Sequence, residues 1–235
     1  MAVNIDTVYQ RVLALANKEQ RGYITPQEFN IFANQAQMDI YEQYFYDLNQ
    51  WYRPHGNNTI SADPIDIVEG KLNLFLSSES LEDNGGGTPA NVFDLADLTG
   101  NFYRINTVLK SNVALEEVRR DEFSLLGLSA LTTPTTNTPV FYRKGTLLVV
   151  APTSINDTID VNYYKKPTAA VWGYTVVNSK ALYDSGSSTN FELEDSEETK
   201  LVIKILALAG ITLNDPALYQ IATAEDNKNV QQEKQ

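Results

Sequence analysis

The stretch "TPQEFNIFANQAQMDIYEQYFYDL", residues 25–48, decides the fold of one end of this chain. Thr25 is a good N-cap, Pro26 suits the first helical position because no N–H is needed there, and Glu28 completes a capping box. A helix from Pro26 to about Leu48 would be roughly 35 Å long. It carries two apolar stripes, and one suffices for the core of a monomer. The second stripe therefore predicts contact with another helix or another subunit.

The residues around this helix start also match part of an EF-hand loop, with Gly22 at position 6 and Glu28 at position 12. The ligand positions do not match. Asn17 and Glu19 would stand at positions 1 and 3, and Arg21 would place a fixed cation at position 5, where an oxygen ligand is required. We therefore expect a helix start and no metal site.

Composition narrows the functional classes. Thirty acidic and eighteen basic residues give a net charge of −12, and no Lys/Arg-rich block is present. We therefore do not expect this chain to wrap DNA on a basic face, whereas a lumen through which DNA slides would tolerate this charge. The absence of cysteine excludes disulfides and thiol chemistry. The most apolar stretch, residues 201–211, is about half the length of a membrane span and contains Lys204, so we expect no membrane partner.

The hydrophobic periods predict an α+β fold, with a helical bundle of N- and C-terminal helices and a small antiparallel β-sheet or sandwich from the middle of the chain. We expect an N-terminal helical hairpin over 1–56 and a loop-rich insertion over 57–100 that holds one strand, "KLNLFL", at 71–76. An antiparallel β region over 101–175 and C-terminal helices with a partner-docking arm over 176–235 follow. The helical parts should form one domain.

Local signals place several elements. Ser111–Asn112 predicts a turn, and "PVFYRKGTLLVVAP" predicts a hairpin that turns at Lys144–Gly145. "TIDVNYYKKP" predicts a strand with three apolar side chains on one face: Ile159, Val161 and Tyr163. In "FELEDSEETKLVIKILALAG" we expect a helix that is capped near Asp195 and stopped by Gly210.

Two groups of side chains are candidate contact residues. The dense aromatic group after residue 40 is typical of either a core corner or an interface, and we predict a subunit interface from Tyr41, Tyr44, Phe45, Trp51 and Tyr52. A last helix from Pro216 has few apolar side chains, which could dock on a partner: Leu218, Tyr219, Ile221 and Ala222. No nucleophile elbow, phosphate loop, dinucleotide fingerprint or zinc signature is present. We therefore expect no enzyme and no cofactor.

Four stretches carry a resemblance to a known family: "GYITPQEFNIFANQAQMDIYEQYF", "TTPTTNTPVFYRKGTLLVVAP", "INDTIDVNYYKKPTAAVW" and "FELEDSEETKLVIKILALAG". With these the chain resembles the head-to-tail connector proteins, also called adaptor or ring proteins, of short-tailed double-stranded DNA bacteriophages, crAss-like phages and their relatives included. The resemblance does not cover residues 57–100.

The resemblance implies a virion structural protein that forms a ring of about twelve copies beneath the portal and lines part of the DNA ejection channel. It also implies a portal protein above, further neck or tail rings below, DNA only as transiting cargo, and assembly in the bacterial cytoplasm. In the connectors, the C-terminal segment inserts between portal subunits, so the docking residues near 220 would contact the portal. The alternatives are another neck, collar or tail-completion protein, or, in another class, a carbohydrate-binding or hydrolytic domain.

Calcium should not stabilise this protein. A true site saturated about a hundredfold adds close to 3 kcal/mol to the free energy of unfolding. We therefore expect melting temperatures in excess calcium and in chelator to agree within about a degree. A shift of several degrees would revive the EF-hand interpretation.

Overall fold

The computed structural model describes residues 2–17, 24–51, 62–83, 91–212, 220, 223–225 and 227–228. The chain divides into two compact units. The helical unit combines Met1–Leu74 with Pro167–Gln235, and the sheet unit is Phe75–Lys166. The predicted boundaries at residues 57, 101 and 176 do not coincide with these units.

The α+β fold class is confirmed. In chain order the elements are α1 (Ile5–Asn17), α2 (Pro26–Trp51), α3 (Ala62–Asn73), β1 (Leu76–Glu82), β2 (Val92–Asp94), β3 (Phe102–Lys110), β4 (Val113–Ala114), β5 (Glu116–Glu117), α4 (Arg120–Leu126), β6 (Val140–Lys144), β7 (Leu147–Ala151), β8 (Thr158–Lys165), β9 (Tyr174–Val177), β10 (Lys180–Tyr183) and α5 (Glu198–Thr212).

The predicted capping box begins helix α2. The backbone N–H of Glu28 donates to Thr25 Oγ1 over 3.3 Å, and the backbone N–H of Thr25 donates to Glu28 Oε2 over 2.9 Å. These bonds satisfy two donors that the helix itself leaves unpaired. The bond from the Thr25 backbone also holds the pKa of the Glu28 carboxyl below its ordinary value.

Polar side chains of α2 bind an extended segment of chain that comes much later in the sequence. Asn34 donates from Nδ2 to the carbonyl of Ala170 and accepts the N–H of Ala170, both over 2.9 Å. Asn30 makes the same pair of bonds with the backbone of Trp172, at 3.3 and 2.8 Å. Each side-chain amide thus replaces a neighbouring β-strand for one residue of this segment.

Gln37 continues the pattern by donating to the carbonyl of Thr168 over 2.8 Å. The three amides and residues 168–172 together are called the amide ladder below. Its geometry depends on two distances that nearly agree. One turn of a helix rises about 5–6 Å along the axis, and two residues of an extended chain advance about 6.6 Å. Side chains at i, i+4 and i+7 of a helix can therefore meet every second residue of an extended chain.

Trp172, at the end of the ladder, links three parts of the helical unit. Its ring lies 4.3 Å from that of Tyr9 between centroids, and its indole N–H donates to Asp6 Oδ1 over 2.9 Å. The chain then turns at Gly173, where an added Cβ would lie 2.7 Å from the backbone carbon of Ser187. Only glycine fits this approach, and the β9–β10 hairpin leaves from it.

The sheet unit is a sandwich. In its described residues, one sheet has the strand order β1-β8-β3-β4 and the other the order β2-β7-β6-β5. Side chains from both sheets share one core, in which the predicted inward face of β8 is confirmed. The members of this core include Leu81, Phe93, Val108, Phe141, Leu148, Ile159, Val161 and Tyr163.

Several local predictions are corrected. Residues 57–100 include helix α3 and strands β1 and β2, and the predicted strand at 71–76 is wrong because Leu72 packs in the core as a helical residue. Helix α5 runs through Gly210, which is buried, to Thr212. The β6–β7 turn lies one residue later than predicted, because Lys144 still pairs with Leu147.

The sheet region is not wholly antiparallel, since β5 runs parallel to β6. The turn at Ser111–Asn112 is confirmed, and both of its residues have positive φ, as in the two-residue hairpin turns that match strand twist.

Replacing Asn34 by leucine should destabilise the protein strongly. Ala170 is fully buried, and its N–H and C=O would lose their partner, which predicts a loss of about 2–4 kcal/mol in the free energy of unfolding. Gln35→Leu is the matched control, because Gln35 is exposed and donates to Asp39 Oδ1 of its own helix over 2.8 Å. For this variant we expect a change within about 0.5 kcal/mol. Denaturant unfolding of both variants measures this, and equal effects would contradict the role given to the ladder.

Candidate interaction surfaces

Three of the predicted interface aromatics lie in the core of the helical unit. Tyr41, Tyr44 and Phe45 are 0, 3 and 9 % exposed. The rings of Tyr41 and Phe45 meet edge to face at 5.1 Å, and Lys71 Nζ lies 5.6 Å from the centroid of Tyr44. The expectation of an exposed interface is corrected for these three residues, because α2, which carries all three, packs against α3 and α5.

The other predicted contact residues lie outside the part of the chain whose side chains are described. This applies to Trp51 and Tyr52 of the aromatic group and to all four predicted docking residues, Leu218, Tyr219, Ile221 and Ala222. Their roles stay predictions.

Among the described residues, the two most exposed large apolar side chains, Leu128 and Leu131, lie on one segment of the sheet unit. Leu125, Leu128 and Leu131 are 64, 81 and 97 % exposed. Residues 125–139, which carry them, are called the leucine arm. The arm is attached by α4, whose Phe123 ring lies 4.7 Å from the ring of Tyr142 on β6. Leucines this exposed, in one short segment, are a mark of a surface that meets a partner.

The leucine arm is held by its own hydrogen bonds. The N–H of Leu128 donates to the carbonyl of Leu125 over 3.0 Å, and that of Thr133 donates to the carbonyl of Ser129 over 2.9 Å. At its far end the carbonyl of Pro139 accepts a bond from β5. The leucines are therefore presented by folded turns, which lowers the ordering cost of a contact made through them.

A second exposed apolar surface is the β9–β10 hairpin of the helical unit. Its turn residues, Asn178 and Ser179, both have positive φ. Val176 and Leu182 are more than half exposed. Trp172 stacks on Tyr174 at 5.9 Å and lies 5.7 Å from Tyr183, so the base of the hairpin is fixed to the ladder.

The helical unit also contains a groove of about 530 Å³. It is lined by α3, the chain start and the segment before α5, namely Ala2, Asp66, Ile67, Gly70, Lys71, Leu74, Glu192, Leu193 and Glu194. Ile67 and Leu74 are 60 and 53 % exposed. Three of the lining residues are carboxylates, so we call this the acidic groove.

The one cation among the groove's lining residues already has a counter-ion. Lys71 Nζ lies 2.5 Å from Oε1 of Glu197, whose side chain is 4 % exposed. This pair connects α3 to the 3₁₀ turn Asp195–Glu197 and neutralises the lysine. The charge that the groove presents is consequently that of Asp66, Glu192 and Glu194.

In the described part of the sheet unit, Tyr163 and Glu79 form a pair of titratable groups whose pKa values are both shifted. Tyr163 donates its hydroxyl to Glu79 Oε1 over 2.5 Å, and the backbone N–H of Thr99 donates to Oε2 over 2.9 Å. The bond from Tyr163 lowers the pKa of Glu79, while burial, followed by the bond to Glu79, raises the pKa of Tyr163. Each shift moves the pKa of its group further from pH 7, so at that pH Glu79 stays ionised and Tyr163 stays protonated. The pair is therefore a structural hydrogen bond and not a proton-transfer couple.

Gly100 allows this bond to form. A Cβ at that position would lie 2.4 Å from the hydroxyl oxygen of Tyr163. The pair, like the capping box, therefore belongs to the framework of the fold.

Within the described residues, no group of three or more His, Asp or Glu side chains is placed to hold a metal ion. None of the helices in that part of the chain combines the length and apolar character needed to cross a bilayer. In comparisons with known proteins, no family model matches the chain, and no curated protein matches it either.

The sequence patterns did not predict the leucine arm as a contact surface. The available signal was charge: residues 123–142 contain no Asp, Glu, Lys or Arg. The irregular part of this run, between α4 and β6, holds Leu128 and Leu131, and an uncharged irregular segment with exposed leucines is typical of a contact surface.

Tyr163→Phe should weaken the fold in a pH-dependent way. Because the pKa of Glu79 is lowered in the folded state, the stabilisation is present above the ordinary carboxyl value of 4.5 and is lost as the pH falls through the folded value. Because the pKa of Tyr163 is raised, its share is present below pH 10 and is lost as the pH rises through the folded value.

The difference in unfolding free energy between wild type and Tyr163→Phe should therefore be largest between these limits and shrink on both sides. Urea unfolding from pH 3 to 11 measures it. In Glu79→Gln the loss on the acid side should be absent. A difference that does not vary with pH would contradict this account.

Proposed function

We propose that this protein is a ring-forming structural component of a phage neck, the head-to-tail connector or adaptor beneath the portal, around the path of DNA ejection. The observation that carries the proposal is the leucine arm, an ordered segment that presents Leu128 and Leu131 almost wholly to solvent. Such a surface is unfavourable in an isolated chain and is stabilised in an assembly that buries it.

A ring needs two different contact surfaces on each subunit, because its contacts are heterologous. The described chain offers more than one: the leucine arm on the sheet unit, and the acidic groove and the β9–β10 hairpin on the helical unit. These surfaces differ in shape and in charge. That difference favours head-to-tail contacts over a symmetric dimer.

The charge of −12 supports the same function. An acidic wall repels the phosphates of DNA, so that a genome passing through the ring does not adhere to it. Placement within a virion neck rests on the resemblance of the four stretches quoted above and on this charge.

The sheet unit gives less support to a carbohydrate-binding function. Sugar-binding sheets present aromatic rings to solvent, but each aromatic side chain in the described part of this unit is at least partly buried. Phe93, Phe141 and Tyr163 belong to its core. The described surfaces therefore favour the connector function over carbohydrate binding.

Purified particles of the phage that encodes this chain should contain about a dozen copies of it. Peptide quantification by mass spectrometry, scaled to the portal protein, measures the number. Absence from the particle, or one or two copies, would contradict the proposal.

Deleting residues 216–235 should leave a folded protein that no longer attaches to the portal. The removed segment has few apolar side chains, and beyond Glu225 only Val230 remains among polar residues, so a monomer gains little burial from it. Co-sedimentation with purified portal measures attachment, and the melting temperature, which should be nearly unchanged, is the control. Normal attachment would show that the docking surface lies elsewhere in the chain. Loss of folding would show that the segment packs against the rest of its own subunit.

A further inference from the structure

The acidic groove contains a glycine that the packing of the helical unit does not require. Gly70 lies inside helix α3, is exposed, and lines the groove. Glycine is less favourable than alanine at such a helical position, and a close packing contact is the usual reason for it. A Cβ added at Gly70 would meet no atom of the described chain within 4 Å. The open backbone at this glycine is therefore a place where a ligand can approach the helix closely.

Apolar and acidic side chains flank this glycine. Asp66 lies one helical turn before it and Leu74 one turn after it. Together with Ile67, Leu74 gives the groove an exposed apolar lining. Glu192 and Glu194 add carboxylates from the segment before α5. A molecule that fills the groove must therefore offer both apolar surface and positive charge.

The walls of the groove carry an excess of negative charge. Helix α3 contributes three carboxylates and one lysine, and residues 192–200 contribute five carboxylates and one lysine. Lys71 pairs with Glu197, and Arg11 of α1 pairs with Glu198. When these two ion pairs are set aside, six carboxylates and one lysine remain. The groove therefore attracts positive charge.

The charge of the whole chain decides between a second copy and a different protein as the occupant. The chain has a net charge of −12 and no Lys/Arg-rich block, so a second copy has no strongly basic segment to offer. Two acidic surfaces repel each other. A basic segment of another protein is attracted instead, and apolar side chains beside its cations can cover the apolar lining.

We propose that the acidic groove binds a short segment of a different protein, in which apolar side chains alternate with lysine or arginine. The apolar side chains pack on Ile67 and Leu74. The cations meet Asp66 and Glu194, and the backbone of the segment passes over Gly70. The volume of about 530 Å³ is in the range of ligand pockets. The leucine arm and the β9–β10 hairpin stay available for contacts between copies.

A labelled peptide tests this binding on the full-length protein. The probe is a short peptide of alternating leucine and lysine, and the same peptide with glutamate in place of lysine is its control. Fluorescence anisotropy at low salt measures the affinity. We expect saturable binding of the lysine peptide that weakens as salt is added, and no binding of the glutamate peptide. A lysine peptide that does not bind would overturn the proposal.

Two double variants separate the groove from the overall charge of the chain. Asp66→Asn/Glu194→Gln removes two carboxylates of the groove, and Glu116→Gln/Glu117→Gln removes two exposed carboxylates from β5 of the sheet unit. Both change the net charge equally. We expect the groove variant to weaken binding about tenfold or more and the β5 variant less than about twofold. Equal weakening would show that overall charge alone holds the peptide, which contradicts the proposal.

Gly70→Ala tests the close approach to the helix. Alanine favours the helix and its Cβ meets open space, so the melting temperature should rise by about 1–3 °C. The affinity for the lysine peptide should nevertheless fall severalfold, because the Cβ stands where the peptide backbone passes. Gly127→Ala is the matched control, since a Cβ added there also meets no described atom within 4 Å, and its affinity should not change. An unchanged affinity in Gly70→Ala would show that the segment does not lie over Gly70, which would refute the proposed placement.

Failure of this inference and failure of the proposed ring can be told apart, because the peptide assay does not depend on assembly. If particles contain about a dozen copies but the lysine peptide does not bind, the ring stands and the assignment of the groove is wrong. If the chain is absent from particles but only the groove variants weaken peptide binding, the ring is wrong and the assignment of the groove stands.

Discussion

The helical unit depends on one repeated interaction, the pairing of side-chain amides on α2 with the backbone of residues 168–172. Without Asn30 and Asn34, the backbone of the buried residues Ala170 and Trp172 would lack partners that it cannot obtain from water. The helix therefore does for this segment what a neighbouring strand does in a sheet. Because the two repeats nearly agree in length, three consecutive amides can take part without bending either element.

The ladder also places the surfaces that lead outward from the helical unit. At one end Trp172 contacts Tyr9 and Asp6 and fixes the base of the β9–β10 hairpin. At the other end the backbone N–H of Glu192 donates to Gln37 Oε1 over 3.4 Å. Glu192 lines the acidic groove. The groove wall and the hairpin base are thus tied to the same helix. A rigid base of this kind limits the entropy lost when these surfaces meet a partner.

The predictions from sequence succeeded where the cause is local and failed where it is distant. The capping box at Thr25, the turn at Ser111–Asn112 and the inward face of β8 each depend on residues within a few positions of one another. The amide ladder joins residues 131 to 142 positions apart, and no periodicity signals such a bond. Asparagine on a helix is typical of an exposed face, so its partners could not be inferred.

The same distinction explains the errors at the candidate surfaces. Tyr41 and Phe45 were predicted as contact residues because of their aromatic density, but neighbouring helices cover them. Leu128 and Leu131 are 81 and 97 % exposed although they lie in an uncharged run, and exposure of that kind is a property of the tertiary structure. The absence of charged residues from 123–142 can be read from the sequence, but the exposure of its leucines cannot.

We propose above that this chain assembles head to tail into a closed ring. Native mass spectrometry of the full-length protein, alone and with purified portal, tests it most directly over a series of rising concentrations. The account predicts a single closed assembly of about twelve copies, in solution or on the portal. A monomer at every concentration with and without the portal, or a symmetric dimer that does not grow further, would contradict it.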